Sequence, residues 1–324
     1  MKKLFDYLQL TRPLNLAFIV AIQILMLRAV IYPILAGFGL ESQILSLPIA
    51  LLIVSGTVLV AAGGYVINDY FDLKIDRINR PSKVIISNSI DKKSAMRFYQ
   101  VLTLVGVACG VSAAVWLRNS TLAFLFVIIP GLLWFYSASY KRQFLVGNIV
   151  VAFCAALVPL TMVFAQHIAL EATYSDLIYQ TPILKVCYTW VGGFALFAFL
   201  TTLLREIVKD MQDEYGDREM ECRTLPIKLG IKWTKYVVYS LIIVIVGLLS
   251  FFVFAGIHFE ESSLTERYFV FGIVIPLIFV AYLTYRAHTA SDYKQVSNLV
   301  KFVMLTGTLY SLVFLFLSNT TSLQ

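Results

Sequence analysis

Charge is what this sequence has least of. Only 14% of its 324 residues are Asp, Glu, Lys or Arg, against 59% hydrophobic residues, and the mean hydropathy is +0.81. That balance excludes a soluble globular protein, and no segment is polar enough for a soluble domain or patterned like a set of strands. Histidine is confined to His167, His258 and His288. Each falls near a helix end without a carboxylate or cysteine at metal spacing, so they are read as interfacial. The acids and histidines lie on different elements, which also removes Ser/His/Asp chemistry. The four cysteines, Cys109, Cys154, Cys187 and Cys222, are dispersed and make neither a disulfide framework nor a metal motif. No small-residue cleavage site follows the first apolar run and no lipidation box is present, so the expectation is no cleavable signal peptide.

What is there is a series of apolar runs. They cover Leu14–Gly37, Ser46–Ile67, Ala95–Trp116, Leu122–Ser139, Leu145–Gln166, Ile183–Leu204, Tyr236–Phe254, Tyr268–Tyr285 and Leu299–Leu317. Each is near the roughly 20 residues needed to cross the hydrocarbon core. The expected fold is therefore all-α, a polytopic bundle of nine transmembrane helices with residues 1–324 forming a single domain. The net charge of +7 is not a nucleic-acid signal, because the basic residues alternate by side. Lys2, Lys3 and Arg12, the Lys74–Arg97 region, Lys141 and Arg142, the Arg205–Lys235 region and Arg286, Lys294 and Lys301 all fall on one side. The other side keeps Arg28, Arg118, Lys185 and Arg267. The positive-inside rule puts the N-terminus on the cytoplasmic side. Residues 1–13, with Leu4, Phe5 and Leu8 behind a basic front, suit a short interfacial helix.

Two acidic stretches end apolar runs on that same side. In NDYFDLKIDRINRP, Asn68, Asp72 and Asp76 are spaced i, i+4, i+8, one face of a continuing helix, with Asp69 about 100° round and assigned another role. In REIVKDMQDEYGDRE, Asp210, Asp213 and Asp217 are spaced i, i+3, i+7, and Glu206 extends that face one turn back. Aligned carboxylates at a membrane boundary suit a hard divalent cation, and Mg²⁺ in particular takes one or two carboxylates plus substrate phosphates. The plainer alternative for the first stretch is a solvated helix end paired with Lys74, Arg77 and Arg80.

Other polar residues have two readings each. Arg12 either reaches lipid phosphate or faces a substrate phosphate, and Asn15 just inside the first helix needs a partner. Tyr136, Tyr140, Lys141 and Arg142 make either an aromatic belt with snorkelling cations or a diphosphate-binding edge. Gly63 and Gly64 permit close helix packing, Gly216 a tight backbone near Asp217, and Asn148 is another polar group in an apolar run. The polar segment from Asp76 to Arg97 is the candidate cap over the site.

These residues resemble the UbiA-type intramembrane prenyltransferases over nearly the whole chain. The first signature, NDxxDxxxD, is Asn68, Asp69, Asp72 and Asp76; the second is Asp210, Asp213 and Asp217; the tyrosine-lysine element is Tyr136 and Lys141, followed by Leu145, Gly147 and Asn148. The resemblance implies Mg²⁺-dependent transfer of a prenyl chain from a polyprenyl diphosphate to a lipid or aromatic acceptor, in a helical bundle open to lipid. It implies catalytic roles for Asn68, Asp72, Asp76, Asp210, Asp213, Asp217, Tyr136 and Lys141, with Asn68, Asp72, Asp76, Asp213 and Asp217 toward the metal. Charge adds Arg77, Lys141, Arg142 and Lys209 as candidates for the diphosphate. RPLN near the start, the two acidic stretches and RTLPIKLG look most like the geranylgeranylglycerol-phosphate geranylgeranyltransferase branch, which builds ether lipids. After Arg80-Pro81 that branch has a second Arg-Pro and a later Gly. Here Lys83 to Asn88 stand instead, keeping a charge at Lys83 but changing the turn, which bears on the acceptor more than on the donor. Lys83, Lys92, Lys93, Arg218 and Arg223 are surplus cations for an acceptor phosphate. Two rivals stay open: an aromatic prenyltransferase of quinone or haem type, and an ion-coupled transporter whose acids are cation sites.

Overall fold

The computed structural model describes residues 2–253 and 263–320. The expected helix end at Phe254, His258 and the side chain of Lys83 lie outside the described part. We number the helices α1 (Lys2–Leu10), α2 (Pro13–Gly37), α3 (Leu47–Phe71), α4 (Leu73–Asn79), α5 (Lys92–Trp116), α6 (Ser120–Ala138), α7 (Val146–Tyr174), α8 (Ile183–Glu219), α9 (Leu225–Leu229), α10 (Ile231–Phe251), α11 (Ser263–Arg286) and α12 (Ala290–Thr320). Among the described residues nine of them, all but α1, α4 and α9, are long and apolar enough to span a bilayer. Helices suit that solvent because every backbone polar group is satisfied within the segment. Phe124, Ile243 and Phe271 are more than 60% exposed, the large apolar surface that lipid covers.

Three helices outrun the hydropathy. α7 continues to Tyr174, α8 to Glu219, and α12 begins at Ala290. Hydropathy marks the part of a helix inside hydrocarbon, whereas the hydrogen-bond ladder stops only at a breaker. The expected uninterrupted helix through Asn68, Asp72 and Asp76 is in fact bent. Asp72 (φ −82°, ψ −3°) separates α3 from α4. The Asp72 N–H still donates to the Asn68 carbonyl at 2.9 Å and the Asp76 N–H to the Asp72 carbonyl at 2.8 Å, so the i, i+4 register survives. Two wide turns, Met26–Ile31 in α2 and Val270–Val274 in α11, each precede a proline, Pro33 and Pro276. A proline lacks the N–H that would bond one turn back and its ring crowds that carbonyl, and a wider turn absorbs both.

One half of the bundle is α3 packed on α5 and α6; the other is α8 packed on α7, α10 and α12. α2 lies between them, and its buried Gln23 donates to Thr57 Oγ1 (3.1 Å), Thr161 Oγ1 (3.0 Å) and the Val158 carbonyl (3.3 Å), tying α2 to α3 and α7. One apolar core, including Ile34, Ile53, Met162 and Val191, closes the end away from the acids. A second holds Leu204, Ile207, Val208 and Met211 of α8 against Val238, Leu277 and Val300. That i, i+3, i+4, i+7 stripe leaves Glu206, Asp210, Asp213 and Asp217 on the opposite face of α8. A third, smaller core of Leu10, Val66, Leu73, Ile86, Ile90 and Ala95 pins the segment after α4 over the acidic end. The cap thus owes its place to Ile86 and Ile90, with Val84 and Ile85 packed against the same core.

Candidate active site

α3 and α4, the turn after α6, the start of α7 and the last turns of α8 meet at one end of the bundle. The Asn68 side chain bridges two neighbours: its Nδ2 donates to Asp72 Oδ2 at 2.8 Å and its Oδ1 accepts from Lys141 Nζ at 3.3 Å. Lys141 also pairs directly with Asp72. Gly147 makes that possible, since a Cβ there would fall 2.5 Å from the Lys141 Cα, so only glycine lets this turn lie on α7. One residue on, Asn148 Nδ2 donates to Asp210 Oδ2 at 2.8 Å, the partner that its place in an apolar run requires. Tyr136, near the end of α6, lies close to Glu206, Asp72 and Asp210.

Across the mouth α4 is bound to α8. Arg80 Nη2 donates to Asp213 Oδ1 and Oδ2 at 2.6 and 2.5 Å. The Asn79 side chain accepts from the Gly216 N–H at 3.0 Å and donates to the Asp213 carbonyl at 3.3 Å. A Cβ on Gly216 would sit 2.3 Å from Asn79 Oδ1. The glycine expected to allow a tight backbone near Asp217 serves here to let the Asn79 side chain lie close against α8. Gly63 has a similar use, a Cβ there falling 2.5 Å from Thr103 Oγ1 of α5.

Asp69, off the metal face, pairs with Arg12 at 2.6 Å, and the Arg12 guanidinium lies 4.9 Å from the centre of the Tyr65 ring. Asn15 lies beside Tyr65. Arg12 faces into the bundle rather than toward lipid. Of the expected diphosphate cations, Lys141 is in the site, whereas Arg77 and Arg142 are exposed. Arg77 follows Asp76 by 100° of helix, which turns it away from α8, while Arg80, one turn beyond Asp76, faces it. Lys209 bonds Glu206 at 3.0 Å. Lys92, Lys93, Arg218 and Arg223, expected as surplus cations for an acceptor, are all exposed, and Arg218 is paired with Glu214.

The acids fit Mg²⁺ by chemistry more than by convergence. Among the described residues no three acidic, His or Cys side chains come together as a ready-made metal cage. Each acid with a partner is turned to a donor: Asp72 to Lys141, Asp213 to Arg80, Asp210 to Asn148. Mg²⁺ needs no all-protein cage, since it keeps water and takes one or two carboxylates with phosphate oxygens. Asp76 shows that negative charge is left over. Burial, then the charges of Asp72 and Asp69, push its carboxyl up to about 6, only partly offset by Arg80 and Lys141. Burial likewise pulls the Lys141 ammonium down from its ordinary value, against the pull of Asp72.

The profile of the UbiA prenyltransferase family matches residues 30–318. The chain belongs to the UbiA prenyltransferase family. It is therefore a multi-pass integral membrane enzyme of prenyl transfer, with the all-α bundle and ether-lipid relatives that the sequence motifs implied. A digeranylgeranylglyceryl phosphate synthase of Methanosphaera stadtmanae is 30% identical over 307 residues, covering 92% of this chain and 96% of the relative. A solved structure of a digeranylgeranylglyceryl phosphate synthase superposes with a TM-score of 0.58 at 25% identity, covering 97% of this chain and 99% of the other. A UbiA homolog from Archaeoglobus fulgidus, bound to DMAPP and Mg²⁺, superposes with a TM-score of 0.53 at 16% identity, covering 93% of this chain and 98% of the other, and shares the fold. In UbiA terms the mouth joins the two acidic signatures and the tyrosine-lysine element on one side of the bundle. Sequence reasoning passed over Asn79 and gave Arg80 only a surface role. Their signal was the one-turn spacing of Arg80 from Asp76.

Proposed function

We propose that the chain transfers a polyprenyl group, geranylgeranyl in the best-supported reading, from its diphosphate to the hydroxyl of a prenylated glycerol phosphate, giving a diether lipid phosphate. The observation that carries this is similarity, over most of the length, to synthases named for that product. Asp72, Asp76, Asp213 and Asp217, with Asn68, are the residues that would hold Mg²⁺, and the whole chain acts as one transmembrane domain. When bound, the ion supplies positive charge to the diphosphate oxygens and makes them a better leaving group.

The chain's own cations then act on the same oxygens. Lys141 and Arg80, held at the mouth by Asp72 and Asp213, pass from carboxylate to phosphate oxygens as the donor enters. Diphosphate leaves with the electron pair of the C1–O bond, and C1 gains carbocation character. Tyr136 and the edge-packed ring pair Phe71 and Trp134, 5.3 Å between centroids, are the aromatic surface available to it. The acceptor oxygen forms the new C–O bond and releases its proton.

The test offers purified protein labelled geranylgeranyl diphosphate, Mg²⁺ and three acceptors: geranylgeranylglyceryl phosphate, 4-hydroxybenzoate and 1,4-dihydroxy-2-naphthoate. Label is expected only in the diether phosphate. Labelled aromatic product with an untouched glyceryl phosphate would overturn the acceptor and leave the donor half standing.

The sided Lys/Arg distribution supports a cytoplasmic N-terminus and a cytoplasmic mouth. Cysteines placed at the exposed positions Ser87 and Arg223 are then expected to react with an impermeant thiol reagent from the same, cytoplasmic side. Reaction from opposite sides is incompatible with nine spans in this order.

A further inference from the structure

One buried polar group remains unused by the donor chemistry. On α8, Arg205 and Lys209 are spaced i, i+4 along a line about 100° from the Asp210 side. Arg205 Nη1 bonds Glu206 Oε1 at 2.7 Å and Lys209 Nζ bonds Glu206 Oε2 at 3.0 Å. The Arg205 Nε is buried and has no hydrogen-bond acceptor among the described residues. Lys301, on the neighbouring α12, is exposed and within Coulombic reach of Arg205, Lys209, Arg12 and Glu206. Lys301 lies eleven residues inside α12, about 16 Å along its axis from the Ala290 end. It stands two residues inside the apolar stretch that begins at Leu299, at the end of the bundle that carries the acidic mouth.

The charges do not cancel. Three cations share the single carboxylate of Glu206, since Arg12 is engaged by Asp69. Asp210 also lies within Coulombic reach of Lys209, so the cluster keeps a smaller excess of positive charge, which still suits a phosphate monoester carrying about −1.5 to −2 at neutral pH. The acidic mouth is the wrong place for a second phosphate, because Asp72, Asp76, Asp213 and Asp217 repel one without metal. Farther along the same α8–α12 seam lies an apolar pocket bounded by Phe197, Leu200, Gly307 and Tyr310, which suits a hydrocarbon chain.

We infer that Arg205, Lys209 and Lys301 form a second anion site that holds the phosphate of the lipid acceptor, with its prenyl chain in the α8–α12 pocket. This rests on the reading that the acceptor is a glycerol phosphate. Arg205 is five residues from Asp210, about 7.5 Å along the helix axis. In such an acceptor the free hydroxyl is on the carbon next to the phosphate-bearing one. A phosphate anchored here therefore brings that hydroxyl to the edge of the donor mouth. These three residues are binding groups for the acceptor and take no part in breaking the donor bond.

The experiment measures binding without donor or Mg²⁺, using a short-chain geranylglyceryl phosphate and its dephosphorylated alcohol in detergent. Wild type is expected to bind the phosphate at least about tenfold tighter than the alcohol, the range of a charge-assisted hydrogen bond. Lys301→Gln, at an exposed position, and Lys209→Gln are each expected to erase most of that preference, and Lys301→Arg to restore it. The KM for donor diphosphate stays within about twofold in Lys301→Gln, because a single charge at this distance from the mouth is worth little there. If wild type prefers the phosphate and neither Gln variant reduces the preference, the site is wrong and the proposed acceptor stands. If wild type shows no preference for the phosphate, the acceptor reading fails and this site fails with it.

Discussion

Asp72→Ala and Asp213→Ala are each expected to lower turnover by at least about three orders of magnitude, roughly 4 kcal/mol of transition-state stabilisation, with the protein still folded. Both carboxylates lie at the mouth rather than in an apolar core, with side chains 17% and 24% exposed. Removing Asp213 frees Arg80, whose side chain is 32% exposed and remains hydrated. That partly exposed pair contributes little to stability, about 1 kcal/mol or less. The loss is therefore kinetic: an oxygen ligand disappears from a site that must hold metal and diphosphate together. Mg²⁺-dependent product formation and thermal unfolding in detergent, measured side by side, separate the two effects. Most of the wild-type rate persisting in either variant at saturating Mg²⁺ would show that the two acidic stretches do not share a metal.

Lys141→Met is expected to reduce kcat by about two to three orders of magnitude, the size found when one preorganised charge donor is removed from a site of developing negative charge. Methionine keeps the length of the aliphatic stem and removes only the ammonium, so packing of the turn on Gly147 survives. Asp72 then lacks its cation, which raises the local negative charge and strengthens metal binding. Tighter apparent Mg²⁺ affinity together with a collapsed kcat is thus the signature of a cation that acts on the leaving group. A variant with unchanged kcat and weakened Mg²⁺ affinity would instead make Lys141 a structural counter-ion.

Much of this molecule is legible from periodicity. The spans stand out because hydrocarbon thickness sets a length that apolar runs must match, and the acids of α8 share a face because 3.6 residues per turn puts Asp210, Asp213 and Asp217 there whatever the tertiary fold. What eludes sequence depends on which faces meet. That Arg80 rather than Arg77 reaches Asp213 follows from α4 lying against α8. That Asp69 pairs with Arg12, 57 residues away, follows from α2 sitting beside α3. The bend at Asp72 leaves no mark because its hydrogen bonds continue through it. The grouping of Arg205, Lys209 and Lys301 required the packing of α8 on α12, since hydropathy presents these residues only as charges at the ends of apolar runs.

The contact between Asn79 and Gly216 also decides how the enzyme can move. Two hydrogen bonds between the Asn79 side chain and the backbone of α8, one donated and one accepted, backed by Arg80 on Asp213, weld the first acidic stretch to the second. The seam between α4 and α8 is therefore a fixed edge, and a diphosphate cannot enter by prying it apart without dismantling the site it is to occupy. Any opening of the mouth falls instead to the segment beyond Arg80, which Ile86 and Ile90, with Val84 and Ile85 beside them, hold to the smallest of the three cores. Opening there would leave the spacing of Asp72, Asp76 and Asp213 unchanged.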